Sequence, residues 1–97
     1  MLPVSSPGFF ERLDTRDLRL LVELRNRQSI SAAATACGIQ QPAATKRLQR
    51  IAETIGQRII ERRKRKTFLT TEGAALADHG ERVLASLQRL QADLAAN

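Results

Sequence analysis

The 97-residue chain has no Trp, no Tyr, one Cys and one His. A single Cys37 excludes an intrachain disulfide, and with His79 distant in sequence it supplies no cluster of metal ligands. Cys37 is expected as a small buried residue at a turn, and His79 as a solvated or half-buried helix residue. There is no Ser-His-Asp set, no Gly-rich phosphate loop and no evident carboxylate pair, so no enzyme and no cofactor is expected. Apolar runs are short, and none approaches the length of a membrane span. The first residues lack a charged start and are broken by Pro3, Pro7 and Gly8, so no secretory leader is expected and the implied location is cytoplasmic. With aromatic residues and Val scarce and an apolar set made mostly of Leu, Ile and Ala, the composition favours helices.

Positive charge is abundant, and it is unevenly placed. Gln40 to Thr67 carries nine Lys or Arg against Glu53 and Glu61, a net of +7, whereas the whole chain is +6 and the remainder therefore sums to −1. The positive field belongs to one stretch and not to the surface at large. A pI near 11 implies a polyanionic partner. A membrane surface fits poorly, because the cations do not line the polar face of one long amphipathic helix.

The expected organisation is a flexible tail over 1–13, a compact unit over 14–70 and a long helix over 71–97. A first helix starts at a cap of Asp14 or Thr15 and runs to about Gln28, with an apolar arc (Leu18, Leu20, Leu21, Val22, Leu24) wide enough to meet two partners. Phe9, Phe10 and Leu13 have the character to fold back onto it. Ser31 is read as the cap of a short helix, Ala32 to about Cys37, closed by Gly38. A third helix spans Gln41 to Ile55, with Pro42 in its first turn, an inward stripe of Ala44, Leu48, Ile51 and Ile55, and Gly56 at its end. Ile59-Ile60 and Phe68-Leu69 predict two short strands around a charged hairpin, Glu61 to Thr67, whose turn lacks Gly or Asn. Thr70 caps the last helix, from Thr71 to about Ala96. In that helix Leu76, Gly80, Val83, Leu87, Leu90 and Leu94 recur at spacings of 4, 3, 4, 3 and 4, a heptad seam whose distal half is expected to meet a second copy of the chain.

Two short helices joined by a tight turn and followed by a basic hairpin form an architecture for holding duplex DNA, a mainly α winged helix-turn-helix. The outward face of the third helix presents Pro42, Lys46, Gln49, Arg50 and Glu53, with Gln41 and Thr45 at its margin. Gln pairs with adenine, Lys donates to guanine, and Thr meets a thymine methyl or a phosphate. Arg47 and Arg50 lie farther from the groove floor and are expected at phosphates. The run Arg62, Arg63, Lys64, Arg65 and Lys66 supplies cations that displace counterions from the DNA backbone. Ser29 and Ser31, with the free N–H groups after them, form a further phosphate-binding corner. The main alternative is a helical dimerisation module whose basic loop binds RNA or acidic protein non-specifically.

As an ordered set, the segments Ser29-Ile30-Ser31-Ala32-Ala33-Ala34, Gln41-Pro42-Ala43, Ile55-Gly56, Ile60-Glu61-Arg62 and Leu69-Thr70-Thr71-Glu72-Gly73 resemble the LysR-type transcriptional regulators over Leu13 to Ala96. A similar N-terminal domain occurs in winged-helix regulators of the molybdate-responsive type. The resemblance implies a homodimer joined through the last helix, with two recognition helices on two half-sites of an interrupted palindrome. It implies base or backbone contacts from Gln41, Pro42, Thr45, Lys46 and Gln49, and phosphate contacts from Ser31, Arg50, Arg62 and Thr70. Leu76, Val83, Leu87, Leu90 and Leu94 are the corresponding dimer residues. Gln40 stands where the family has a Ser cap, Ala52 where it has Glu and Ile60 where it has Phe. A small-molecule effector is implied only where a further C-terminal domain follows.

Overall fold

The computed structural model describes Gly8 and residues 10–96. The flexible tail expected over 1–13 lies outside the described residues for 1–7 and 9, and so does any fold-back by the side chains of Phe9 and Phe10. The end of that stretch is built into the domain: Phe10–Arg12 makes one 3-10 turn and Leu13 packs against the core. There follow α1 (Thr15–Arg27), α2 (Ile30–Ala36), α3 (Gln41–Ile55), β1 (Ile60–Arg63), β2 (Lys66–Leu69) and α4 (Thr71–Ala95). This is a winged helix-turn-helix extended by a long helix.

Three of the four α-helices, α1, α2 and α4, begin where a side chain takes up an unpaired amide group. Asp14 caps α1, accepting from the N–H of Arg16 at 2.9 Å and of Asp17 at 3.0 Å, while Asp17 accepts from the N–H of Asp14 at 3.0 Å to close a capping box. For α2 the cap is Ser29 and not Ser31: Ser29 Oγ accepts from Ala32 N–H at 3.1 Å, and the helix starts at Ile30. Both serines suit the role, but Ser29 has the extended backbone a cap needs (φ −151°), and Ser31 falls inside the first turn. Gln40 makes no side-chain cap bond to α3, as its long amide predicts. Gly38 (φ 72°) turns the chain between α2 and α3.

The core gathers Leu20, Leu21 and Leu24 of α1 with Ala33 and Ala34 of α2, Ala44, Leu48 and Ile51 of α3, Ile59, and Ala77 of α4. The wide apolar arc of α1 does meet two sets of partners, α2 and α3 on one side and α4 on the other. Small residues let α4 come close. Gly73 sits so near the Ile59 carbonyl that any Cβ there would collide with it, and a Cβ on Gly80 would lie 3.1 Å from Leu18 Cβ. Arg25 ties the two helices at the surface, reaching Asp78 at 2.9 Å and Glu81 at 2.7 Å.

The hairpin strands extend further into the basic run than the apolar pairs indicate. Ile60 pairs with Leu69, Glu61 with Phe68, Arg62 with Thr67 and Arg63 with Lys66, antiparallel. Only Lys64 and Arg65 remain for the turn, both with left-handed backbone (φ 50° and 67°), the conformation that a two-residue hairpin turn demands. Arg63 supports the extended ladder by stacking on Phe68, 4.2 Å from the ring centre. Buried Thr67 donates its N–H to the Gln28 carbonyl at 3.0 Å, fixing β2 to the end of α1.

Candidate nucleic-acid interface

The apolar side of α3 is consumed by the core: Ala44, Leu48 and Ile51 are buried, and buried Thr54 donates its hydroxyl to the Arg50 carbonyl at 3.0 Å. Its opposite side is open. Gln41, Pro42, Thr45, Lys46 and Gln49 line one shallow concavity along the outer face, all exposed except half-buried Thr45. The hydrophobic stripe that anchors the helix thus also determines which side chains it presents.

The cations expected at phosphates fall into two groups. Arg50 turns toward the protein: one guanidinium nitrogen donates to the fully buried carboxylate of Asp17 at 2.6 Å, and the other to the Arg12 carbonyl, also at 2.6 Å. Arg47 stands 3.7 Å from the same Asp17 oxygen and 3.9 Å from Asp14. These arginines bind α3 to the start of α1, because a carboxylate with no exposure to water needs cationic hydrogen-bond donors to be tolerated. Arg62, Arg63, Lys64, Arg65 and Lys66, by contrast, are all exposed. Of these, Arg63 also approaches Glu61 at 3.5 Å.

Ser31 is exposed at the start of α2, its Oγ 3.2 Å from Ser29 Oγ. Thr70 caps α4 as expected. Its hydroxyl donates to the Arg58 carbonyl at 2.8 Å and accepts from Gly73 N–H at 3.1 Å, so it serves the helix cap and the base of the hairpin. The seam on α4 is divided as well. Leu76 packs against the core of its own domain, whereas Val83, Leu87, Leu90 and Leu94 remain between 43% and 65% exposed. Burial, and secondarily Glu23, pushes the Cys37 thiol up, which suits a packing residue better than a nucleophile. His79 is exposed and lies 3.0 Å from Arg82. Among the described residues no group of His, Cys, Asp and Glu could hold a metal, and no helix is long and apolar enough to cross a membrane.

Two residues escape a reading of the sequence. Asp17 resembles any acid in the first turn of a helix, and only the capping box hints at more. Arg58 follows Gly56 in a connection that no motif marks, yet it stands beside Thr45 and Gln49 on a cleft between α3 and β1.

Comparison with known proteins gives a consistent picture. A hydrogen peroxide-inducible genes activator of Haemophilus influenzae is 29% identical over 85 residues, covering 88% of this chain and 28% of that protein. The HTH-type transcriptional activator TtdR of Escherichia coli is 34% identical over 79 residues, covering 81% of this chain and 26% of that protein. The chain thus spans under a third of the length of these relatives. Among solved structures, the BenM DBD in complex with catB site 1 DNA superposes with a TM-score of 0.80 at 25% identity, covering 87% of this chain and 93% of that one. The CbnR DBD–DNA complex gives 0.75 at 25% identity, over 88% and 100%. Residues 15–74 match the family described as bacterial regulatory helix-turn-helix protein, lysR family, and the chain belongs to that family.

Proposed function

We propose that this chain binds duplex DNA sequence-specifically, as the DNA-binding part of a dimeric bacterial transcriptional regulator acting in the cytoplasm. The reading is carried by one arrangement: the exposed face of α3, with Gln41, Pro42, Thr45, Lys46 and Gln49, stands beside a hairpin bearing five successive cations. It is supported by the relatives, which include a transcriptional activator, and by the structural neighbours, which are DNA-binding domains in complex with DNA. Gln49, Lys46 and Thr45 read base edges in the major groove, while Arg62 to Lys66 and Ser31 hold phosphates. Residues 14–70 form the DNA-binding unit, and within 71–97 Val83, Leu87, Leu90 and Leu94 join two copies. Two recognition helices then address two half-sites.

Selection from a pool of randomised duplexes, followed by titrations at several salt concentrations, tests this. The selected duplex is expected to bind roughly a thousandfold more tightly than random duplex. Gln49→Ala should relax preference at one or two positions by about 1–3 kcal/mol. Arg62→Ala should weaken all duplexes alike and reduce the slope of log K against log salt by about 0.9. A selected sequence that competes no better than random DNA refutes the reading.

A further inference from the structure

Between the outer face of α3 and the foot of the hairpin lies a cleft of about 220 Å³, with Leu48, Ile59 and Ile60 in its apolar lining. Thr45 and Gln49 stand on its α3 side and Arg58 on the other, and no acidic side chain lines it. Thr45 and Gln49 also line the concavity assigned to the major groove, so the two surfaces are continuous. A major groove and the neighbouring minor groove are separated by a single sugar–phosphate strand. If α3 occupies the first and the hairpin tip reaches toward the second, the strand between them must cross this cleft.

We propose that the cleft seats one deoxyribose of that dividing strand, with Arg58 bonded to the adjoining phosphate. The chemistry matches on both sides. The carbon face of a deoxyribose packs on aliphatic side chains, and a guanidinium at the rim offers the paired N–H groups that a phosphate accepts. Arg58 is placed for this and is otherwise little used. Its carbonyl is held by the Thr70 hydroxyl at 2.8 Å, which fixes the backbone, while its exposed side chain makes one long contact of 3.5 Å to the Ile60 carbonyl. Roles are thereby exchanged between two arginines: Arg50 is committed to buried Asp17, and Arg58 faces the DNA. The inference rests on the DNA-binding reading above and adds one binding site to it.

The test uses the duplex chosen by selection and a random duplex of equal length, with each phosphate along the selected site replaced in turn by a neutral methylphosphonate. Arg58→Ala is expected to weaken binding to both duplexes about tenfold and to lower the salt slope by about 0.9, while Arg58→Lys retains the slope. One methylphosphonate position should weaken the unaltered protein and leave Arg58→Ala unaffected. Arg58→Gln, which keeps the stem and removes the charge, is measured in parallel, with circular dichroism confirming the fold of each variant. Unchanged affinity and slope in both neutral variants, with base preference intact, overturns the inference alone. An unaltered protein without base preference overturns the functional reading and this inference with it.

Discussion

Along α4 one continuous helix meets two different environments. From Thr71 to Gly80 the three buried residues are small: Gly73 lies against Ile59 and Leu69, Gly80 against Leu18, and Ala77 belongs to the core, with the larger Leu76 half-buried beside them. From Val83 onward the same helix face carries large aliphatic side chains, and they remain exposed. Side-chain size follows what fills the opposite side. At Gly73, where the chain's own backbone comes close, no Cβ fits, and beyond Gly80 the face left exposed among the described residues carries Val83, Leu87, Leu90 and Leu94. The heptad spacing runs unbroken through both halves, so spacing alone does not separate an internal contact from an external one. Size does.

The contrast can be broken most forcefully at Gly73. Gly73→Ala drives a methyl group into the Ile59 carbonyl, which neither strand nor helix can yield to easily, and should cost about 3 kcal/mol in urea unfolding. A neutral result would mean that the proximal half is not tightly seated. In the distal half, Leu87→Glu should leave the fold of a single copy intact while weakening self-association about a hundredfold, since a carboxylate would have to enter an apolar seam. Sedimentation that shows the same dimer would assign the exposed face to something other than a second copy.

Gly80→Ala is the finer measurement. The gain in helix propensity, about 1 kcal/mol, opposes the crowding of Leu18 Cβ and Cδ2 at 3.1 Å, so a net loss of about 1 kcal/mol or less is expected. A net gain in melting temperature would show that Leu18 can move aside. The smallest effect concerns the start of α1. Burial pushes the Asp14 carboxyl up, but the N–H groups of Asp17 and Arg16 and the Arg16 guanidinium outweigh it and hold the group below its ordinary 3.8. A lowered native value stabilises the fold above the ordinary value, and that contribution disappears as pH falls through the native one. Asp14→Asn should therefore unfold with a slightly flatter pH dependence below about pH 4, a modest change for so exposed a group.

Much of the fold is local chemistry and was legible as such. Caps at Asp14 and Thr70, glycines at Gly38 and Gly56, and the inward stripe of α3 each follow from neighbouring residues, and the structure places them accordingly. The choice of Ser29 over Ser31 as cap was not legible, because both side chains satisfy the same local rule. What the sequence hid entirely is long-range. Arg50 lies on the outer arc of α3 by periodicity, yet its guanidinium meets Asp17, thirty-three positions earlier, only once α1 and α3 have packed. Thr70 likewise reads as a cap with a hydroxyl to spare until the Arg58 carbonyl arrives twelve residues away. The outward set on α3 was recoverable because the apolar stripe fixes its complement. Arg58 was not, because its place beside Thr45 and Gln49 depends on where a connecting segment crosses the helix.

The tip of the hairpin carries its own compromise. Lys64 and Arg65 occupy backbone conformations that glycine or asparagine adopts at little cost, and each instead brings a long cationic side chain to the turn. The dipeptide thus sacrifices conformational ease for local charge density. Replacing it with Asn-Gly would relax the turn and discard two positive charges in a single step, so robustness and attraction for a polyanion pull in opposite directions at the same two residues.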